Sequence, residues 1–504
     1  DRVAAGLRGG GQRGRQRQPG GNDQGSARTH RTLHLHLRFL PQRVSLHDLP
    51  LGSDSMRLRH LLQRPDLLFL LVAGPVGLVL CFLIPPLGGG NETHNFPRVA
   101  AIAYGQLRPG PSEVPAGIGD FVAEGARFFH AGLELPFSFN RAEYNTMAAI
   151  PLHADERATL PSDPIAIHHP FSYLPQSIAL RLTAALGASP LVLFVVARLV
   201  GFAGALGLTF IAIRVMPSHR YALAALALLP PIVYSRSTVD ADPLTNALAF
   251  LFIACTLRAM IGGGRLETRR LIGLAVLAFV VAQCKSAYLV LPLIALAIPP
   301  ARFRCRASYG IWMAVLILPG LLGSLGWMLL VKQSMFAAGT SYTTWSGQVD
   351  PDAQMRLILQ HPFDYLGVLL QKMFLTSFLP RTVVEIFGQF GPPVLLAPAI
   401  VLILIALFVL AVLSDPAKEA AYPPLFRWLA PAIVAAFLVL TLTLLYLQWT
   451  GLGKDTIDGF QGRYLFPLLP LLLVLVRATP RRLSGPPGFA LLAPAMLGAA
   501  AMLW

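Results

Sequence analysis

Charged residues lie at the ends of long apolar stretches of this chain. Glu92 follows the first such stretch, in the glycine-rich segment from Pro85 to Phe96. A carboxylate held at a membrane surface can act as a general base or as a metal ligand. A solvated loop acid, or an acid that caps a helix beginning near Phe96, would have the same sequence. Glu92 is our catalytic candidate, and the residues alone leave these interpretations open.

Two further acids, Asp240 and Asp242, occupy a tight turn between two apolar segments, with Pro243 after them. An Asp before a proline is a common helix N-cap. Two acids near a membrane surface could instead bind a divalent cation or a sugar hydroxyl. Arg236 precedes the turn and could pair with either acid.

Two cations are candidates for binding a phosphate. Lys285 interrupts an apolar region, where it either extends to the membrane interface or meets a lipid phosphate. Arg463 begins another apolar stretch, and its guanidinium could form two parallel hydrogen bonds to a phosphate. We add Arg236 to this phosphate-binding set. Arg198 lies well inside an apolar stretch, so we expect an internal ion pair for it.

Several other kinds of site are not indicated. His168 and His169 are adjacent, so their side chains diverge and do not favour a shared metal. The chain has no Walker loop, dinucleotide fingerprint or nucleophile elbow. Its 4 cysteines show neither metal-ligand nor disulfide spacing. We assign no metal ligand and no certain cofactor, and Mg²⁺ or Mn²⁺ remains the candidate cation.

Composition places the chain among polytopic membrane proteins. It has 504 residues, of which 54% are hydrophobic and 13% charged. The net charge of +16 is concentrated in the first sixty residues and in short loops, so we expect no nucleic-acid partner. Residues 1–64 form a basic tail that we expect to be disordered, with Met56 as an alternative start.

The apolar stretches predict about eleven transmembrane helices. We place them near 66–86, 189–215, 220–236, 243–262, 270–284, 287–300, 307–331, 392–413, 428–448, 462–477 and 486–504. The two short segments beside Lys285 could form one broken pair. If the arginines before the first helix are cytoplasmic, every predicted cytoplasmic loop is basic, as the positive-inside rule requires.

The opposite face receives two long loops, near 87–188 and 333–391. They predict an extracytoplasmic layer with helices of its own. The spacing of apolar residues from Pro351 to Phe378 is typical of amphipathic helices that lie on a membrane. The predicted fold class is therefore an all-α polytopic membrane protein whose outer loops carry short amphipathic helices.

Several segments together resemble a bacterial membrane-protein family, domain of unknown function 2142, which is related to the GT-C-type glycosyltransferases. The resemblance covers about Leu67 to Arg477. The matching segments are Pro85-Pro86 with Asn91, Glu92, Phe96 and Arg98, Tyr104 to Leu107, Tyr173 to Gln176, Leu226 to Pro231, Asp242 to Ala249, Lys285 with Tyr288, Gln360 to Pro362, and Gln461 to Pro470.

The first outer loop departs from the family pattern, which usually has an Asp-Glu pair followed by a His. Asn91 stands at the Asp position and Asn95 at the His position, so Glu92 alone keeps its acid. This departure weakens a two-carboxylate metal site and favours a single base. It is also compatible with an altered activity.

The resemblance implies a GT-C-like domain over residues 65–504 that transfers a sugar from a polyprenyl-phosphate donor to a glycan or lipid-linked acceptor, with inversion. Glu92 would be the base, and Lys285, Arg463 and Arg236 would bind the donor phosphate. Eight residues would contact substrate: Asn91, His94, Asn95, Asp240, Asp242, Tyr173, Tyr288 and Gln461.

The resemblance implies a bacterial plasma-membrane location, and the charge pattern of the loops predicts a cytoplasmic N-terminus and an extracytoplasmic active site. A flippase of lipid-linked saccharide is the first alternative, although it would need polar residues through the whole membrane depth. A scaffold without catalytic activity in envelope assembly is the second alternative.

Overall fold

A computed structural model describes residues 62–131, 141–160, 167–335, 342–344, 346–391, 394–413, 415 and 421–476. The predicted disordered tail, apart from its last residues, lies outside the described residues. So does the last predicted transmembrane helix, near 486–504.

The described chain is mostly helical. Its α-helices are α1 (Pro65–Leu83), α2 (Glu92–Ala103), α3 (Ala116–Ala131), α4 (Arg141–Ala148), α5 (Leu174–Ala184), α6 (Pro190–Val215), α7 (Arg220–Ala227), α8 (Pro230–Arg236), α9 (Asp242–Ile261), α10 (Thr268–Cys284), α11 (Arg306–Met335), α12 (Pro351–Gln360), α13 (Pro362–Leu370), α14 (Phe378–Gly388), α15 (Pro398–Leu413), α16 (Pro424–Gln448) and α17 (Leu469–Leu473). The 3₁₀-helices are Pro170–Ser172, Ser286–Ala297, Pro300–Arg302 and Gly462–Leu468, and Gln371–Leu375 is a π-helix.

The all-α prediction needs one correction, because the loops contain short strands. They are β1 (Ser112–Pro115), β2 (Arg157–Leu160), β3 (Tyr342–Thr344), β4 (Gly347–Val349), β5 (Gln389–Gly391) and β6 (Val394–Leu395). They form three antiparallel pairs, β1 with β2, β3 with β4 and β5 with β6. Strand pairing satisfies backbone groups in segments that do not continue as helix.

Five described helices are long and apolar enough to cross a membrane: α1, α6, α9, α11 and α16. Shorter apolar helices lie at Ser286–Ala297, Pro398–Leu413 and Gly462–Leu473. The chain is therefore a membrane protein with several spanning helices. The count of about eleven stays a prediction.

The segment predicted as one helix near 220–236 is divided in two. Helix α7 ends at Ala227, and α8 begins at Pro230. Pro230 and Pro231 have no backbone N–H to donate to the preceding turn, so the helix cannot run through them. They are instead well placed at the start of a new helix.

The break at Lys285 agrees with the prediction of a divided pair. Helix α10 ends at Cys284, Lys285 is extended, and a 3₁₀-helix runs from Ser286 to Ala297. Helix α9 packs against α6 and α10 near the centre of the main apolar core. The break therefore places Lys285 beside the N-terminal end of α9.

The two long loops differ in their packing. Much of the first loop packs with the start of α6 in a separate core, in which Phe96 and Phe121 of the loop and Phe194 of α6 make edge and tilted ring contacts. In the second loop, α12, α13 and the π-helix leave apolar side chains such as Phe363 and Phe374 exposed. That exposed apolar surface is typical of helices that contact lipid.

The cysteines carry no disulfide. All four are free thiols: Cys81 and Cys284 are buried, Cys255 is half-buried and Cys305 is exposed. This agrees with the sequence, which lacks the spacing of a disulfide framework.

Candidate functional site

Glu92 and Arg198 form a fully buried ion pair. Arg198 donates from Nε to Glu92 Oε1 at 2.7 Å and from Nη2 to Oε2 at 2.5 Å. The exposed fraction is 0% for the Glu92 side chain and 1% for the Arg198 side chain. The expected internal ion pair of Arg198 is therefore confirmed, and Glu92 is its partner.

Backbone N–H and carbonyl groups make the remaining hydrogen bonds of this ion pair. Glu92 Oε2 accepts from the N–H of Gly89 at 2.9 Å, and Oε1 accepts from the N–H of Val239 at 2.8 Å. Arg198 donates to the carbonyl oxygens of Cys81, Ile84 and Pro85 at 2.7 to 3.0 Å. The pair thus joins α6 to the end of α1, to the first loop and to the turn before α9.

Gly89 is required by this close approach. A Cβ on Gly89 would lie 2.7 Å from Glu92 Cδ and 2.5 Å from Thr238 Cγ2. These distances are shorter than any normal carbon contact, so a side chain here would displace the carboxylate. The glycine-rich turn therefore serves the ion pair.

We accordingly revise the assignment of Glu92. Each carboxylate oxygen accepts two hydrogen bonds, one of them from a buried guanidinium. A general base must be free to approach a substrate proton, and this carboxylate has neither exposure nor a spare hydrogen-bonding position. The geometry favours a structural role for Glu92.

A second group of charges, here called the charged cluster, comprises Asp240, Asp242, Lys285 and Arg463. Lys285 Nζ donates to Asp242 Oδ1, and Arg463 Nη1 lies 3.3 Å from Asp240 Oδ2 and 3.6 Å from Asp242 Oδ2. The sequence predicted all four as site residues, and the structure brings them together. They come from three distant parts of the chain.

Local structure explains how the cluster is held. The N–H of Asp242 donates to Asp240 Oδ1 at 3.2 Å, which fixes the turn. Gln176 Nε2 donates to the carbonyl of Asp240 at 3.4 Å. The Glu92 bond to Val239 anchors the residue next to Asp240. The buried ion pair therefore supports the cluster through the backbone.

The cluster is less sealed than the Glu92 pair. Side-chain exposure is 13% for Lys285 and 15% for Arg463. Burial raises the pKa of Asp240, and the neighbouring charge of Asp242 raises it further. Carboxylates with shifted proton affinity beside fixed cations are typical of sites that do chemistry.

A divalent cation does not fit this donor set. Two acids and two cations sum to zero charge, so the cluster has no surplus negative charge for Mg²⁺ or Mn²⁺. Within the described ranges, no group of three or more His, Cys, Asp or Glu side chains could hold a metal ion. We therefore derive no step through a metal.

Asn91 contacts the cluster directly. With its amide oriented so that both polar atoms find partners, its oxygen accepts from Arg463 Nη2 at 2.5 Å and from Nη1 at 3.2 Å. Its nitrogen then donates to the Gly90 carbonyl at 2.7 Å. Asn91, at the position where the resemblance led us to expect an acid, thus faces a cluster cation and adds no charge.

His168 is a further neighbour that the sequence did not assign to the site. Burial lowers the pKa of His168 to about 3, and the charge of Lys285 contributes to the shift. The charges of Asp242 and Arg463 also act on it. His168 therefore stays neutral at physiological pH and adds no charge to the cluster.

The other predicted substrate residues are dispersed. Tyr173 is buried and donates to Asn95 Oδ1 at 2.7 Å. Tyr288 is buried, stacks on Phe437 and donates to the Tyr464 carbonyl at 2.9 Å. These contacts hold Tyr173, Asn95 and Tyr288 in the packed interior, and their contact with a substrate stays a prediction.

Two of these residues are less enclosed. His94 is exposed on α2, while Gln461 precedes Arg463 and is half-buried. Gln461 Oε1 has no hydrogen-bond partner among the described residues. Gln461 therefore remains a substrate-binding candidate.

The structure places Arg236 away from the other residues of the predicted phosphate site. Arg236 is buried, its guanidinium lies over the ring of Phe69 at 5.2 Å, and it donates weakly to the Ala227 carbonyl. Arg236 ends α8 and faces the junction of α1 and α7. It makes no ion pair with the charged cluster in the described structure.

Two residues that sequence reasoning missed lie against the cluster. Ser235 and Gln389 line a small cavity together with Asp242, Arg463 and two phenylalanines. Ser235 directly precedes Arg236, and Gln389 begins β5. Neither lies in a motif, so only the folded arrangement could reveal them.

These features define a class, that of helical membrane proteins with a buried charged cluster at the ends of their helices. The chain belongs to DUF2142, a family of predicted membrane proteins, whose model matches residues 75–472. The match includes the whole charged cluster. No curated protein and no solved structure matches the chain.

Proposed function

We propose that this protein is a glycosyltransferase that moves a sugar from a polyprenyl-phosphate donor to a glycan or lipid-linked acceptor. The observation that carries the proposal is the charged cluster. It holds two cations that could receive a phosphate and two carboxylates that could receive a proton. Sugar transfer from a lipid phosphate needs both kinds of group in one place.

The phosphate side of the reaction requires fixed positive charge. As the bond between the anomeric carbon and the phosphate oxygen breaks, its electron pair stays on the phosphate. Lys285 and Arg463 would stabilise that developing charge, because they are held in place before the reaction begins. Their partial exposure leaves them accessible to a headgroup.

The acceptor side requires a base. The acceptor oxygen attacks the anomeric carbon and loses its proton to a carboxylate, which inverts the configuration of the sugar. Asp242 is the better candidate, since its Oδ2 has no hydrogen-bond partner in the described part of the chain. Asp240 would position Arg463, and its negative charge would help to balance the two cations.

The lipid side of the donor fits the rest of the molecule. Spanning helices α1 and α11 expose apolar side chains, including Leu71 at 55% and Leu322 at 65%. A polyprenyl tail could approach through the bilayer while its phosphate reaches the helix ends.

A GT-C-like fold in a bacterial plasma membrane, with the cluster on the outer face, belongs to this proposal. The basic residues in the loops predicted to be cytoplasmic support it.

The test is glycan transfer from a radiolabelled polyprenyl-phosphate sugar in membranes that contain the full chain. Lys285→Gln and Asp242→Asn should each lower the rate at least about 100-fold, because each removes a fixed charge at the reaction centre. Lys332→Gln is the matched control. That lysine pairs with Asp352 at an exposed position, so transfer should be unchanged. Normal transfer by both cluster variants would overturn the proposal.

The same membranes distinguish the two alternatives. A flippase would leave the glycan complete but accumulate it on the wrong membrane face in the cluster variants. A scaffold would show no transfer in the unmodified chain or in any variant. Envelope assembly would then be normal in every variant that folds. Either result would contradict a glycosyltransferase.

A further inference from the structure

The cavity beside the charged cluster contains an unusual set of buried polar atoms. Its lining includes Ser235 from α8, Asp242 from α9, Gln389 from β5 and Arg463 from the 3₁₀-helix Gly462–Leu468. Four of their atoms are buried and have no hydrogen-bond partner among the described residues. They are Ser235 Oγ, Asp242 Oδ2, Gln389 Oε1 and Arg463 Nε.

An unpartnered buried polar atom is destabilising, so four around one cavity call for an occupant. The Asp242 residue is only 5% exposed, so bulk solvent does not satisfy its carboxylate. The cavity has about 10 Å³ available to a water-sized group. That is about the least volume that a water molecule or a hydroxyl group needs.

The atoms restrict what the occupant can be. Arg463 Nε can only donate, and the Asp242 carboxylate can only accept. A hydroxyl group satisfies both, because it accepts one hydrogen bond and donates another. An ammonium group has no lone pair for Nε, and an anion without an O–H group has no proton to donate to the Asp242 carboxylate. The donors and acceptors therefore select a neutral hydroxyl.

We propose that this cavity is a hydroxyl-binding subsite that takes the attacking hydroxyl of a carbohydrate acceptor. The inference rests on the proposed function and names its acceptor class. The acceptor O–H proton passes to Asp242 Oδ2 as the oxygen bonds to the anomeric carbon. Arg463 Nε donates to one lone pair of that oxygen and leaves the other free to form the new bond, while Ser235 Oγ and Gln389 Oε1 bind a neighbouring hydroxyl of the same sugar.

The residues around the cavity are not all fully buried. Ser235, Gln389, Phe390 and Arg463 are all half-buried rather than sealed. Phe390 and Phe466 provide apolar surface beside the polar atoms, as the C–H groups of a sugar require. A mixed lining of this kind is typical of sites that orient a small ligand.

The experiment measures saturation-transfer difference NMR on the detergent-purified full chain with methyl α-glucoside, methyl α-mannoside and methyl β-galactoside up to 100 mM. At least one sugar should give a signal with the unmodified chain. Ser235→Ala and Gln389→Met should each reduce that signal about fivefold, since each removes a hydrogen-bond partner of the bound sugar. The control is Ser237→Ala, whose buried hydroxyl donates to the Val233 carbonyl away from the cavity.

A parallel titration with farnesyl phosphate separates this inference from the proposed function. Ser235→Ala and Gln389→Met should leave farnesyl phosphate binding unchanged, whereas Lys285→Gln should weaken it. If sugars bind and farnesyl phosphate does not, the subsite stands and the proposed donor is wrong. If no sugar binds, or if binding is equal in all variants, the cavity holds only a resident water and the subsite is overturned.

Discussion

The molecule contains two buried groups of charges that lie close together and are built differently. In the Glu92–Arg198 pair, each carboxylate oxygen accepts two hydrogen bonds and the guanidinium donates to both the carboxylate and three carbonyls. In the charged cluster, Asp242 Oδ2 and Arg463 Nε are left without hydrogen bonds among the described residues. The first group is saturated, and the second has capacity to bind.

This difference shows how to separate structural from functional charges. A buried charge whose hydrogen bonds are all made within the protein has nothing left for a substrate. A buried charge with an open position keeps an unfavourable free energy that a ligand can relieve. The number of open hydrogen-bonding positions therefore distinguishes these two sites better than burial does.

The largest effect should come from breaking the saturated pair. Arg198→Met leaves the Glu92 carboxylate buried without a counter-charge, which costs about 3–5 kcal/mol of unfolding free energy. We expect loss of monodisperse protein and a lower Tm in detergent. Arg214→Met is the control, because that arginine is exposed on the same helix.

A double variant sharpens this prediction. Glu92→Leu combined with Arg198→Met removes both charges, so it should be less unstable than Arg198→Met alone. An Arg198→Met protein with an unchanged Tm would contradict the structural role of the pair.

The next effect concerns the cluster, where activity should fall more than stability. Arg463→Gln removes the cation that faces both acids, and we expect about a 100- to 1,000-fold loss of sugar transfer. Its Tm should fall less than that of Arg198→Met. Arg356→Gln, at an exposed position on α12, is the control. Equal loss of Tm in the Arg463 and Arg198 variants would remove the distinction between the two sites.

A smaller effect should appear at low pH through His168. Its pKa in the folded protein is about 3, below the ordinary value of 6.5, so the unfolded state binds the proton more readily. Stability from this residue is complete above about pH 6.5 and falls as the pH drops towards 3. At pH 5 we expect a loss of about 1–2 kcal/mol.

His168→Asn should remove that component of the pH dependence. The measurement is Tm between pH 7 and pH 4.5, with His361→Asn as an exposed control. A His168→Asn curve with the same slope as the unmodified chain would refute the assignment.

The smallest effect should come from Asn91→Asp, which adds an acid beside Arg463. The new charge would compete with a phosphate for that cation, so farnesyl phosphate should bind about 3–10-fold more weakly. Asn145→Asp adds the same charge at an exposed position on α4 and serves as the control. Tighter binding in Asn91→Asp would show that Arg463 does not meet the phosphate.

Apolar length and charge position predicted much of this structure. The five long helices follow from composition, because about twenty apolar residues are long enough to span a bilayer. The break at Lys285 was visible as a cation between two short apolar segments. The four cluster residues are recognisable in the sequence as charges at the ends of apolar segments.

Other features depended on contacts that sequence does not encode locally. Glu92 and Arg198 are 106 residues apart, and the sequence around either residue does not indicate its partner. Glu92 was expected to do chemistry because its exposure could not be judged from the sequence. Ser235 and Gln389 are ordinary polar residues, and only the fold makes them neighbours of Asp242.

The contacts of Arg198 with the end of α1 also bear on how the chain is assembled in the membrane. The carbonyls of Cys81, Ile84 and Pro85 receive their hydrogen bonds from a residue that the ribosome adds more than a hundred positions later. During synthesis, α1 therefore enters the bilayer with its last carbonyls still without these partners. Its C-terminal end and the first loop reach their final form only after α6 has been inserted.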